Sequence, residues 1–321
     1  MRYDIRFVPA FLFVIIFNAL AGCQRPAAQQ STPSMSLTDA RKSFKTKLLV
    51  SETSNEPLET PPVSMFRMTK YSSPVGSLYA YITPDPQDGK RHPAIIWITG
   101  GDCNSIGDVW HEGPADNEQT ASAYRKAGIV LMFPSLRGGS QNPGHKEGFL
   151  GEVDDVIGAA IFLRSQKYVD PSRIYLGGHS TGGTLAMLVA ESTDRFRAVF
   201  SFGPVGDVAT YGADSGFVPV NLNNTDEVRL RSPGYWMASI KKPTWVMEGA
   251  KQGNIQSLRL MRDACKNPQA HFLEIRGATH FSTLAPTNAL IARKILDDTG
   301  SDCNISFTED ELDQNYRDYA R

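Results

Sequence analysis

Short apolar runs alternating with stretches of helical spacing organise most of this chain. Residues 94–98, 129–133, 173–176, 198–202, 244–247 and 271–275 are each four or five residues long and rich in aliphatic and aromatic side chains. Runs of that length and composition predict strands buried on both faces. Between them lie segments such as 153–161, where Val153, Ile157, Ala160 and Ile161 fall on one helical face. Two further runs, 66–71 and 77–82, flank a turn-forming stretch and predict an antiparallel opening pair. Strands separated by helices imply a mostly parallel, eight-stranded sheet covered on both faces, with chemistry at the C-terminal ends of the strands. Residues 208–242 break the rhythm as a long insert containing Tyr211, Phe217, Tyr235 and Trp236. Its aromatics suit either a small cap over a substrate pocket or simple packing.

The most informative chemistry is Gly178-His179-Ser180-Thr181-Gly182, where the run at 173–176 gives way to a helical apolar face (Leu185, Ala186, Leu188, Val189, Ala190). A G-x-S-x-G pentapeptide between strand and helix predicts a nucleophile elbow, with the serine strained and exposed to a cleft. The competing reading is a glycine-rich turn with a capping serine. Serine needs a base. His280 is the candidate, because it lies in the loop between the last strand and the last helix, the place the order Ser, acid, His gives it in α/β-hydrolases. His179 adjoins the serine but is expected to face away, and His92, His111 and His145 sit in polar loops. Oxyanion donors are expected from the amide of Thr181 and from Gly101, in the Gly-Gly turn after strand 94–98.

From about residue 66 to residue 298 the chain resembles the catalytic domain of the prolyl oligopeptidase family of serine hydrolases. The resemblance rests on Pro134-Ser135-Leu136-Arg137-Gly138-Gly139, Glu152-Val153-Asp154-Asp155-Val156, Val169-Asp170-Pro171-Ser172-Arg173-Ile174, the elbow with its extra Gly183, Ser232-Pro233, and Ile240-Lys241-Lys242-Pro243-Thr244. It implies an α/β-hydrolase fold and cleavage of acyl bonds through an acyl-enzyme on Ser180. Two departures matter. The segment before residue 66 is too short for the family's β-propeller, which removes one argument for short peptides and keeps esters in play. The position where the resemblance puts the acid is Gln252. An amide can orient an imidazole but cannot stabilise the imidazolium. The candidates are Glu248, at the end of the same strand, and Asp207, after the preceding one, with a Ser–His dyad or another acid as the remaining options. Gln252 also keeps open a rival reading, a non-catalytic binding protein on a hydrolase scaffold.

The ends of the chain concern address. Arg2 and Arg6 precede an apolar run over 7–21 that ends in Leu20-Ala21-Gly22-Cys23. A basic start, a short apolar core and small residues form a secretory signal, not a spanning helix. Leu-Ala-Gly-Cys also resembles the bacterial lipobox, which implies lipidation of Cys23. Two or three acyl chains, at ~0.8 kcal/mol per buried CH₂, would hold the protein on a membrane. Gln24 rather than aspartate after the cysteine favours the outer membrane, facing the periplasm. The expected layout is a signal peptide at 1–22, a lipidated N-terminus and flexible linker at 23–62, a catalytic domain at 63–299 and a tail at 300–321. A net charge of -1 gives no electrostatic drive toward nucleic acid. No Walker loop, dinucleotide fingerprint or zinc-spaced cysteine pattern calls for a cofactor or metal. With Cys23 on lipid, an odd three cysteines remain in an oxidising compartment; a Cys265–Cys303 bridge is the expected pairing, leaving Cys103 as a small core or loop thiol.

Overall fold

The computed structural model describes residues 35–319. The expected signal peptide and Cys23 therefore lie outside the described residues. In chain order the elements are α1 (Leu37–Lys42), β1 (Arg67–Ser73), β2 (Gly76–Ile82), β3 (His92–Ile98), α2 (Ser122–Lys126), β4 (Val130–Pro134), α3 (Glu152–Arg164), β5 (Val169–His179), α4 (Thr181–Ser192), β6 (Val199–Phe202), α5 (Thr225–Arg229), β7 (Thr244–Gly249), α6 (Ile255–Ala264), β8 (Ala270–Ile275), α7 (Leu284–Asp297) and α8 (Glu309–Tyr319).

The eight strands form one sheet in the order β1-β2-β4-β3-β5-β6-β7-β8. β2 runs antiparallel to both β1 and β4, and every pairing from β4 to β8 is parallel, with Ile96 opposite Leu176 and Gly178 opposite Ser201. Successive side chains of a strand enter opposite layers. In β3, Ala94, Ile96 and Ile98 join the layer under α1, α3, α4 and α6, whereas Ile95 and Trp97 join the layer under α2, α7 and α8. Burial on both sides is why the central strands read as unbroken apolar runs.

Several expectations shift. In α3 the buried stripe is Val153, Val156, Ala159, Ala160 and Leu163, and Ile161 points outward. This helix is apolar over two adjacent stripes, and spacing alone does not choose between them. The insert at 208–242 is continuous with the core: Val208, Val220, Val228, Leu230, Trp236 and Met237 are buried, and the Trp236 indole Nε1 donates to Arg229 O (2.8 Å). Phe217 and Tyr235 keep open faces.

The described part of the expected linker lies against the domain. Leu37 is buried, Thr38 Oγ1 donates to Ser192 O (2.8 Å), Leu48 bridges Val220, and Tyr81 Oη donates to Glu59 O (2.7 Å). The tail folds as α8 on β8 and α7. Its carboxylates take main-chain donors of the terminal strand region, Glu309 Oε1 from Glu274 N (3.1 Å) and Asp313 Oδ1 from Arg276 N (2.7 Å). The expected disulfide is not formed. Cys103, Cys265 and Cys303 are free thiols, and Cys265 packs into one layer of the core while Cys303 packs into the other, with the sheet between them.

One buried ion pair ties β5 and β6 to the end of α7. Asp298, fully buried, accepts from Arg197 Nε (2.6 Å), Arg197 Nη2 (2.6 Å), Tyr175 Oη (2.6 Å) and Asn304 N (3.1 Å). Burial alone would raise its pKa, but the guanidinium and phenol outweigh that and hold it at about 2. A depressed carboxylate pKa contributes stability that is complete above the unfolded value near 4 and lost as pH falls toward 2. Asp298→Asn should therefore cost about 3 kcal/mol at neutral pH, because it leaves Arg197 without its charge partner. The deficit should shrink as urea unfolding is repeated from pH 5 down to pH 2.5.

Candidate active site

β5 ends at His179, and Ser180 follows with φ 56 and ψ -114 before α4 begins. A non-glycine residue in that region is strained, and such strain persists only where the surroundings enforce it. They do so here. Ser180 N donates to Phe202 O (2.7 Å), pinning the turn to the end of β6, and Ser180 O accepts from Thr184 N (2.9 Å). The elbow also closes too tightly for side chains at its glycines: a Cβ on Gly178 would drive into the Gly182 carbonyl, and one on Gly182 into Ile98 O of β3.

His280 lies in the loop between β8 and α7 and is buried. Its ring comes over the end of β6: a Cβ placed on Gly203, next to Phe202, would sit 2.5 Å from His280 Cε1 and 2.7 Å from Glu248 Oε2. The serine and the imidazole thus converge on the C-terminal ends of two adjoining strands from opposite directions along the chain. Nδ1 of His280 donates to Glu248 Oε2 (2.8 Å), which assigns the ring's lone pair to Nε2. Glu248, at the end of β7 and 1% exposed, also accepts from Gly249 N at Oε1 (2.7 Å) and Asn254 N at Oε2 (3.0 Å). Every partner of this carboxylate is a donor.

Asp207, the other candidate acid, is placed elsewhere. It caps its own turn, with Oδ1 accepting from Ala209 N (2.9 Å), and has no bond to His280. Gln252 is exposed in the loop after β7. Asn254 was not legible beforehand: besides its amide on Glu248, its Nδ2 donates to Gly203 O (2.7 Å), so one loop residue clamps both the acid and the strand end under the imidazole.

Gly101, with φ +76, follows β3 beside the elbow, and its carbonyl accepts from Thr181 Oγ1 (2.8 Å). That bond joins the two segments expected to donate to an oxyanion. The loop is braced from behind. Arg137 bonds Asp155 through Nε (2.9 Å) and Nη2 (2.9 Å), and its carbonyl accepts from Asn104 Nδ2 (2.8 Å), two residues past Asp102.

His179 does not face away from the site. It is fully buried, with its ring centroid 4.4 Å from that of His280. Burial, with His280 beside it, pushes its pKa down to about 3 and keeps it neutral. Among the described residues no group of three His, Cys, Asp or Glu side chains is arranged to hold a metal ion, and no helix is long and apolar enough to cross a membrane.

An eight-stranded, mostly parallel sheet with a strained serine between its fifth strand and the following helix defines the α/β-hydrolase fold. Within that class, the prolyl oligopeptidase family (Peptidase_S9) matches residues 116–265, a stretch that holds Ser180 and Glu248 and stops short of His280. The chain is similar to the dual function macrocyclase-peptidase POPB of Galerina marginata, 32% identical over 97 residues, covering 28% of this chain and 13% of that protein. It is also similar to dipeptidyl peptidase 8 of Mus musculus, 26% identical over 190 residues, covering 56% of this chain and 20% of the relative. The chain thus matches only a fifth or less of the length of either relative. Among solved structures, Pyrococcus horikoshii acylaminoacyl peptidase superposes with a TM-score of 0.58 at 16% identity, over 77% of this chain and 43% of that one.

Proposed function

We propose that the chain is a serine hydrolase of the prolyl oligopeptidase kind, cleaving acyl bonds of short peptides or esters through an acyl-enzyme on Ser180. The observation that carries this reading is the His280–Glu248 bond at 2.8 Å, sited beside the strained elbow. Ser180 Oγ would attack the acyl carbon while His280 Nε2 takes its proton, and Glu248 would balance the imidazolium formed. The amides of Thr181 and Gly101 would hold the oxyanion. His280 would then return the proton to the leaving group, and a water would repeat the cycle to free the enzyme.

Relatives named as peptidases favour peptide substrates. We assign the protein, from its leader alone, to a lipid anchor at Cys23 on the outer membrane, facing the periplasm. A fluorophosphonate probe should label the protein stoichiometrically, and anilides of short peptides should be cleaved as well as the intrinsically more reactive p-nitrophenyl esters. A folded protein that takes no label would overturn the hydrolase assignment. Ester cleavage without anilide cleavage would reassign it as an esterase.

A further inference from the structure

The residue before the nucleophile is itself a histidine, and its bonds run to both halves of the site. His179 Nε2 lies 3.0 Å from the main-chain carbonyl of His280. A carbonyl only accepts, so Nε2 carries the proton and Nδ1 is left as an acceptor. Gln119 Nε2 donates to Nδ1 at 2.8 Å, and the Oε1 of the same amide accepts from Gly100 N (3.4 Å), in the turn that carries Gly101. A chain of side chains therefore runs from the oxyanion turn through Gln119 and His179 to the backbone of His280. The space is fully used: a Cβ on Gly100 would sit 2.9 Å from His179 Nδ1 and 3.2 Å from Ser180 Cβ.

We infer that His179 is a positioning residue, which with Gln119 sets the spacing between the general base and the oxyanion donors. Its ring stays uncharged at working pH, so it supports the His280 imidazolium from 4.4 Å without repelling it. The bond is to the main chain of His280 rather than to its ring, so it fixes where the loop carries the imidazole and takes no part in proton transfer. A group of this kind affects the transition state more than substrate binding, because a base displaced by a fraction of an ångström still allows substrate to dock.

The inference rests on the hydrolase reading for its kinetic effect but not for its structural one, and the test separates them. His179→Phe keeps a ring and removes both bonds, whereas His179→Gln keeps a donor at the reach of Nε2. With a peptide anilide or ester substrate, His179→Phe should lose about ten- to hundred-fold in kcat with KM within about twofold, and His179→Gln should recover to within about threefold of wild type. In parallel, proton NMR should show the downfield resonance of the His280 Nδ1 proton shifted or broadened in His179→Phe and restored in His179→Gln. Gln119→Met probes the same chain from its other end, should His179→Phe fail to fold, and is expected to displace the same resonance. Wild-type kcat and an unmoved resonance in the folded His179→Phe or Gln119→Met protein would overturn the inference. If the wild type is inert to fluorophosphonate, the hydrolase reading falls, while the resonance alone still decides whether His179 holds His280.

Discussion

Replacing Ser180 with alanine is expected to abolish fluorophosphonate labelling and lower kcat by roughly 10⁶-fold, the scale seen when a nucleophile is removed from a working triad. The substitution removes one oxygen and keeps the Cβ, so the backbone remains at φ 56 and the fold is unaffected. Circular dichroism and melting temperature should match wild type. Ser180→Gly should be equally inactive yet more stable by about 1 kcal/mol, since glycine accepts that backbone region without strain. Retention of more than a few per cent of activity in both variants would remove Ser180 from the chemistry. Melting temperatures measured beside the kinetics separate loss of the hydroxyl from loss of the fold.

Glu248→Gln should cost about 10⁴-fold in kcat, a large effect for a change of one atom. All of this carboxylate's bonds come from donors: Gly249 N on Oε1, Asn254 N and His280 Nδ1 on Oε2. An amide offers one acceptor and one donor group, so it must present its NH₂ either to Gly249 N or to the pair on the other side. If it faces the imidazole, His280 takes the wrong tautomer, with its proton on Nε2 where the serine's proton must go. If it faces Gly249, the tautomer survives but the imidazolium loses its counter-charge. Steady-state kinetics, with labelling rates as a check on the first step, should show the loss in kcat. Near-wild-type turnover would mean that another group serves as the acid.

Ser180 and His280 were legible because their signals are local: a pentapeptide at a change of periodicity, and a loop histidine between the last strand and helix. Glu248 lies at the end of β7 and Asp207 in the loop after β6, and only the course of the chain separates them as acids, Asp207 turning back onto Ala209 N while Glu248 points inward. Gln119 carries no sequence signal at all; it lies 60 residues from His179, in a polar loop. Cysteine arithmetic failed for a related reason, since a count of thiols says nothing about which side of a sheet each one faces. Composition likewise reports that residues 37–62 are polar, but not that Thr46 Oγ1 and Lys47 N find Glu227 waiting for them (2.9 and 2.7 Å). The antiparallel opening pair was legible because a short turn joins β1 to β2, whereas the placement of β4 between β2 and β3 depends on long-range pairing that the sequence pattern does not carry.

The contacts from α8 to β8 have a further consequence for how this molecule meets others of its kind. A terminal strand leaves a row of main-chain donors and acceptors that a neighbouring molecule can adopt as a template. Here Glu309 takes the main-chain N–H of Glu274 in β8, and Asp313 takes that of Arg276 just past the strand while also pairing with the Arg276 guanidinium. A stranger's strand would have to displace charged hydrogen bonds before it gained neutral ones. This end of the sheet is thereby sealed against growth into a ribbon shared between molecules, a useful property for any protein held at high local density.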